Sequence, residues 1–158
     1  MSSSLEGTNA MDDVGAFIDR VIPLLRAEVV ALESGDPGPR KALWSHADPV
    51  TLFGAEASAS GWKQVEPIFD RLAESFSDGR SCVYEIVAAG VGGDLAYVAA
   101  IERSVAGTRG STPETFTLRV TTIFRREQGE WKVVHRHGDP LDAASREALT
   151  LRRQQGAM

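Results

Sequence analysis

Residues 125–140 read RREQGEWKVVHRHGDP and predict the last hairpin of a β-sheet. The segment before it, Thr117–Arg126, is rich in Thr, Val, Ile and Phe, which is typical of a strand. After the turn, four side chains are spaced by two and share one face of a regular strand: Trp131, Val133, His135 and His137. The apolar end of that face is expected to be core, and its polar end is expected to line a pocket.

The length of the turn decides which side chains of the first strand meet the histidines. A two-residue loop, Gln128-Gly129, needs positive φ at both positions, and Gln is unfavourable there. A three-residue loop, Glu127–Gly129, needs positive φ at Gly129 alone, so the sequence favours it. In that register Arg119 and Thr121 lie on the face of the histidines.

Composition bounds the class of protein. The chain has 158 residues, 42% hydrophobic and 25% charged, as expected for one soluble globular domain. A formal net charge of −5 without a Lys/Arg stripe argues against nucleic acid as a partner. The one cysteine, Cys82, rules out an internal disulfide and fits a reducing compartment. Because no signal-peptide pattern or membrane-length apolar run is present, we expect a cytoplasmic protein that does not contact a membrane.

Helical spacing of apolar residues predicts helices at three places: Met11–Ser34, Arg40–Ser45 and Gly61–Phe76. Pro23 is expected to bend or divide the first helix. Residues 1–10 are small and polar and are predicted to be disordered, which leaves residues 11–158 as a single domain. Asp139-Pro140 is a favourable helix start and predicts a terminal helix over Leu141–Gln154.

Strands follow the helices in the sequence. They are predicted from β-branched and alternating residues at Val50–Phe53, Ser81–Ala89, Leu95–Val105, Thr115–Arg126 and Glu130–His137. Helices first and a strand meander afterwards indicate an α+β fold, with an antiparallel sheet covered by helices on one face. The face opposite the histidines is unusually apolar for an exposed face, and few helices remain to cover it. We therefore expect a homodimer that buries that face: Leu118, Val120, Phe124 and Val134.

Two segments resemble the SnoaL-like branch of the nuclear transport factor 2-like superfamily, and the resemblance spans about Met11–Leu141. GEWKVVHRHGDP (129–140) is similar to the terminal strand of that group and of the calcium/calmodulin-dependent kinase II association domain. HADPVTLFG (46–54) and GWKQVEPIF (61–69) are similar to the loop and helix at the pocket mouth. The resemblance implies a cone-shaped curved sheet wrapped against about three helices, with a small-molecule pocket and dimers through the outer sheet face.

Asp48 and His137 are the candidate catalytic residues. Asp48 is expected to lie beside three aromatic side chains, Trp44, Phe53 and Trp62. Desolvation there is expected to raise the pKa of Asp48, as a general base near neutral pH requires. The alternative role for Asp48 is a turn residue before Pro49. The three aromatics are candidate ligand contacts, although such residues also form cores.

The histidines allow three interpretations. An imidazole titrates near neutral pH, so His137, and less so His135, is a candidate acid or base. Both histidines also fit a hydrogen-bonded pocket wall. A metal site with Asp48 or Glu102 lacks any further ligand motif, so neither a metal nor another cofactor is expected.

Arg119 on the predicted pocket face requires a carboxylate partner or an anionic ligand. Glu102 in the neighbouring strand is the expected partner, either as a structural ion pair or as part of a group that orients a ligand. Thr121 lies beside Arg119 on the same face and is a candidate ligand contact.

Three functions remain open. The favoured one is a dimeric domain that binds a small, partly hydrophobic molecule. The second is an isomerase, cyclase or dehydratase acting by proton transfer on a carbonyl compound, and the third is an oligomerisation module. The Asp-Arg-Asp set of limonene epoxide hydrolases and the second acid of ketosteroid isomerases have no counterpart here, so the sequence does not establish an enzyme.

Overall fold

The computed structural model describes residues 2–54, 57–141 and 143, with side chains from Asp13 onward. In this part of the chain there are three helices: α1 (Ser2–Leu32), α2 (Gly38–Leu43) and α3 (Trp62–Ser75). The strands are β1 (Thr51–Gly54), β2 (Ala57–Ser60), β3 (Phe76–Gly92), β4 (Leu95–Thr108), β5 (Glu114–Glu127) and β6 (Glu130–Pro140). The predicted α+β class is confirmed.

The strands form one curved six-stranded sheet in the order β2-β1-β6-β5-β4-β3. All neighbours are antiparallel except β1 and β6, which are parallel. Gly54 makes the parallel pairing possible, because its φ is 137° and a Cβ there would lie 2.3 Å from the carbonyl oxygen of Gly138.

The helices cover one face of the sheet, here called the inner face, and the core lies between them. Phe17 of α1 meets Phe124 of β5 edge-on, with ring centroids 5.2 Å apart. Trp44 meets Phe69 of α3 in the same way at 5.1 Å. The other side of the sheet, here called the outer face, has no helix of the described chain packed on it.

Helix α1 buries an apolar stripe at helical spacing, which includes Val21, Leu25 and Leu32. It runs through Pro23 without division, and it begins at Ser2, before the predicted start at Met11. The disorder of residues 1–10 in solution stays a prediction. The predicted terminal helix lies outside the described residues, apart from its first position and residue 143.

The strands are longer than predicted, and β2 was not predicted at all. Its sequence, ASAS, has no β-branched or aromatic residue, so its strand conformation comes from pairing with β1 rather than from propensity.

The β5–β6 hairpin has a two-residue turn, so the predicted three-residue loop is wrong. Glu127 pairs with Glu130, and the turn residues Gln128 and Gly129 have φ of 51° and 79°. Positive φ at Gly129 is confirmed. Gln128 adopts the left-handed conformation despite its side chain, so the long strand pairing outweighs a local cost of order 1 kcal/mol.

A β-bulge at Val134 breaks the alternation that the sequence suggested. Phe124 pairs with Val133, whereas the preceding Ile123 pairs with His135, so Val134 is the extra residue on β6. Trp131 and Val133 therefore point to the inner face, and the two histidines point to the outer face. Their predicted shared face is wrong.

The predicted dimer surface is also wrong, because the two faces were exchanged. Val120 and Phe124 are 3% and 0% exposed and belong to the core. Leu118 and Val134 are only half-buried. Exposed apolar side chains lie on the outer face instead, where Tyr97 and Ile123 are register partners.

Candidate functional site

Five polar side chains approach one another on the inner face of the sheet. They come from α1, α2, β3, β4 and β6 and are called the interior charged cluster: Glu28, Arg40, Tyr84, Glu102 and Arg136. The bulge at Val134 is what turns Arg136 toward this cluster.

Glu102 is the hydrogen-bond acceptor at the centre of the sheet. Arg136 donates from Nη1 to Oε2 at 2.9 Å and from Nη2 to Oε1 at 3.2 Å. The Tyr84 hydroxyl donates to Oε2 as well. Burial disfavours the Glu102 carboxylate, but the Arg136 guanidinium and the Tyr84 hydroxyl outweigh it and hold the pKa below its ordinary value. Glu102 is therefore ionised at neutral pH.

A second pair joins α1 to α2. Arg40 donates through Nε to Glu28, and the two side chains are 5% and 3% exposed. The guanidinium carbon of Arg40 lies 5.5 Å from the centroid of the Phe69 ring. Burial raises the pKa of Glu28, and Arg40 offsets this only in part.

This second pair leaves hydrogen-bonding atoms unused. Among the described residues, no acceptor lies within hydrogen-bond distance of Arg40 Nη1 or Nη2, and no donor reaches Glu28 Oε1. None of these three atoms is fully covered by protein atoms, although both side chains are almost fully buried. Buried polar atoms are normally hydrogen-bonded. Arg40 and Glu28 therefore leave two donor nitrogens and one acceptor oxygen without a partner among the described residues.

The sequence contains weak signals for the interior charged cluster. Glu28 falls on the apolar stripe of α1, between Leu25 and Leu32, where a carboxylate requires a buried partner. Arg136 stands between the two histidines, so a regular alternation places it on the opposite face of β6 from them. The predicted pair of Arg119 with Glu102 is wrong, because the partner of Glu102 is Arg136.

Asp48, the predicted general base, lies in the loop between α2 and β1, and its side chain contacts the first residue of α3. It is exposed, and its Oδ1 accepts a hydrogen bond of 2.8 Å from the backbone nitrogen of Trp62. The burial on which its predicted basicity depended is not present, and its position fits a carboxylate that caps a helix N-terminus. A catalytic role for Asp48 stays a prediction.

The histidines and their neighbours lie on the outer face. Thr51 Oγ1 is 2.7 Å from His135 Nδ1, and Phe53 meets the rings of His135 and His137 edge-on at 5.4 and 5.9 Å. Burial and the nearby His137 lower the pKa of His135. Thr121 is the register partner of His137 and is exposed.

Arg119, the predicted pocket cation, also lies on the outer face. It pairs with Asp139 at 2.9 Å, and the two side chains are 58% and 48% exposed. Arg119, Thr121 and His137 therefore share a face as predicted, but that face points away from the core. The predicted cavity that joins them to Asp48 and Glu102 does not form.

The two tryptophans of the predicted pocket have different surroundings. Trp44 is 3% exposed and packs in the core against Phe69. Trp62 is half-buried and stacks on His46, with ring centroids 4.0 Å apart. Of the predicted site residues, Trp44 and Glu102 are buried, and the half-buried Trp62 packs against the core at Phe69.

A separate cavity of about 280 Å³ lies at the surface between α1, α2 and the start of β6, with Leu24, Pro39 and Trp131 in its lining. It contains none of the predicted site residues. Within the described ranges, no three His, Cys, Asp or Glu side chains converge as metal ligands. The same part of the chain has no helix long and apolar enough to cross a membrane.

Comparison with known proteins places the chain in a family. The SnoaL-like domain model matches residues 24–141. The chain belongs to the SnoaL-like domain family. No curated protein matches the sequence.

Solved structures similar to this SnoaL-like domain have different assigned roles. A candidate dehydratase of the NTF2-like family from Streptomyces avermitilis is 22% identical, with a TM-score of 0.63 over 82% of this chain and 99% of the other. A candidate ketosteroid isomerase from Parabacteroides distasonis is 18% identical, with a TM-score of 0.60 over 78% and 87%. The association domain of C. elegans CaMKII is 17% identical, with a TM-score of 0.56 over 80% and 98%. At these identities the likeness concerns the fold alone.

Proposed function

We propose that this SnoaL-like domain binds a small, partly hydrophobic molecule inside the cone, against the interior charged cluster. The observation that carries the proposal is Arg40, whose side chain is 5% exposed while its two terminal nitrogens have no acceptor among the described residues. Small-molecule sites combine apolar walls with a few convergent polar groups. Arg40 lies over the ring of Phe69, which packs against Trp44, so its unpaired nitrogens stand in apolar surroundings.

A thermal-shift screen of small cyclic ketones, alcohols and carboxylates tests this site. A ligand present at 100 times its Kd stabilises a folded protein by about 2.7 kcal/mol, which is a readily measured shift in Tm. We expect at least one compound to stabilise the wild-type chain and the control Arg119→Gln, but not the double variant Arg40→Gln/Glu28→Gln, which leaves no unpaired buried charge. Equal stabilisation of all three proteins would place the ligand elsewhere.

The proposed domain is a homodimer that associates through the outer face of the sheet. Val83, Leu95 and Tyr97 on that face are 52%, 53% and 43% exposed in the single chain. An apolar patch of this kind is typical of a protein interface, and a two-fold axis would let the same patch cover itself.

Sedimentation equilibrium tests the dimer. The wild-type protein is expected at twice the chain mass of 17.0 kDa. Tyr97→Glu is expected to sediment as a folded monomer, because it places a charge in the interface. Leu24→Glu is the matched control, since Leu24 is 37% exposed but lies on α1, away from the outer face. A monomeric wild-type protein at micromolar concentration would contradict this part of the proposal.

Proton transfer on a carbonyl compound is a second candidate function, favoured by Glu28. This carboxylate has a pKa raised by burial, and its Oε1 has no donor among the described residues. Two structural neighbours are named as a candidate dehydratase and a candidate ketosteroid isomerase.

Deuterium exchange tests that chemistry. Proton NMR would follow exchange next to the carbonyl of a ketone from the screen. Glu28→Gln should abolish catalysed exchange and retain binding, because the amide keeps the shape but not the basicity. Full exchange in that variant would exclude Glu28 as the base.

A further inference from the structure

The donors that Arg40 leaves unused indicate the chemical class of the ligand. Its guanidinium gives Nε to Glu28, while Nη1 and Nη2 remain without an acceptor among the described residues. Neither nitrogen is fully covered by protein atoms, although the side chain is only 5% exposed. The arginine is thus fixed on one edge and open on the other.

The open edge of a guanidinium has a specific complement. Two parallel N–H groups match the two oxygens of a carboxylate, and such bidentate pairs are stronger than single neutral hydrogen bonds. Arg136, by comparison, already gives both terminal nitrogens to Glu102. Within the interior charged cluster, Arg40 is therefore the arginine whose terminal fork is available.

We infer that the ligand carries a carboxylate, which binds Arg40 Nη1 and Nη2. This inference rests on the proposed pocket and names the ligand class for it. Lys41, the next residue along α2, does not contribute, since its ammonium pairs at the surface with Asp70 at 2.7 Å. The recognition therefore depends on one buried arginine.

Matched pairs of acids and primary amides test the inference on the full chain. Isothermal titration calorimetry would compare acetate with acetamide and cyclohexanecarboxylate with cyclohexanecarboxamide, since each pair differs in charge and little in shape. We expect the cyclohexane acid to bind at least about tenfold more tightly than its amide, the scale of a charged hydrogen bond. Arg119→Gln should retain that preference.

Variants at Arg40 must not leave Glu28 as an unpaired buried charge. The double variant Arg40→Gln/Glu28→Gln keeps the cluster neutral, and it is expected to fold and to lose the preference for the acid. Arg40→Lys keeps the charge without the planar fork and should lose most of the preference.

The outcomes separate the two proposals. Equal affinity for acid and amide would overturn the carboxylate inference and leave the pocket intact. A preference for the acid that survives in the double variant would also overturn it. No binding of any of the four compounds, together with a negative thermal-shift screen, would overturn the pocket as well.

Discussion

Two arginine–carboxylate pairs on opposite faces of the sheet share an N–O distance and differ in their surroundings. Arg136 and Glu102 are 2.9 Å apart on the inner face, with side chains 10% and 4% exposed. Arg119 and Asp139 are 2.9 Å apart on the outer face, with side chains 58% and 48% exposed. Water screens the outer pair but not the inner one. Burial, rather than distance, therefore decides which pair controls stability and binding.

Removal of one inner partner should have the largest effect. Arg136→Met leaves Glu102 as an uncompensated buried charge, which costs about 3–5 kcal/mol of the free energy of unfolding. Urea denaturation at pH 7 measures this loss. The double variant Arg136→Met/Glu102→Leu is the control and should regain most of it, because no charge is left unpaired. A loss below about 1 kcal/mol in the single variant would mean that Glu102 is solvated.

Tyr84→Phe should have an intermediate effect. It keeps the ring and removes only the hydroxyl that donates to Glu102, and a hydrogen bond to a charged group contributes about 1.5–3 kcal/mol. Urea denaturation again measures the change. At a protein concentration where the chain is monomeric, Tyr97→Phe is the matched control, since Tyr97 is 43% exposed in the single chain, and it should change stability by less than about 0.5 kcal/mol. Equal effects would show that the Tyr84 hydroxyl is bonded to water.

The sequence predicted the elements better than the faces. Apolar periodicity located α1, α2, α3 and the long strands, because burial of one face imposes a regular period. The turn and the bulge leave no periodic pattern of apolar residues in the sequence, so they could not be predicted in this way. Gln128 at positive φ runs against its own preference, and Val134 is an ordinary β residue at an irregular position.

Two local errors partly compensated for one another. The two-residue turn shifts the pairing of β5 and β6 by one residue from the predicted register, and the bulge at Val134 shifts it by one more in the same direction, so the same side chains again share a face. Arg119 and Thr121 thus share the face of His137 as predicted, although that face is the outer one. The sequence did not predict the interior charged cluster, because a regular strand places the histidines on the face of Val133. Beyond the bulge, Arg136 points to that face and the histidines point away from it.

Arg119→Ala should have a small effect. The pair with Asp139 is exposed, and such pairs contribute about 0–1 kcal/mol, reduced further by salt. Urea denaturation at low and high ionic strength would measure it. A loss above about 2 kcal/mol at high salt, at a protein concentration where the chain is monomeric, would contradict the exposure of this pair.

His135→Gln should change the pH dependence of stability slightly. The pKa of His135 is lowered in the folded state, so its neutral form is favoured there. The contribution of His135 to the free energy of unfolding is present above its pKa in the unfolded chain, about 6.5. It is lost as the pH falls from there through its lower pKa in the folded chain. The substitution should therefore cost more at pH 7.5 than at pH 5.5, as Tm measurements would show. A larger loss of stability at pH 5.5 than at pH 7.5 would mean that folding raises the pKa of His135.

The bulge at Val134 places Arg136 on the inner face of the sheet and His135 and His137 on the outer face. Double-mutant cycles on the two ion pairs test it most directly, with urea denaturation of Arg136→Met, Glu102→Leu, Arg119→Ala, Asp139→Ala and the two double variants. The account predicts a coupling of about 2 kcal/mol or more between Arg136 and Glu102 and below about 1 kcal/mol between Arg119 and Asp139. A stronger coupling in the outer pair, at a protein concentration where the chain is monomeric, would contradict the assignment of the faces.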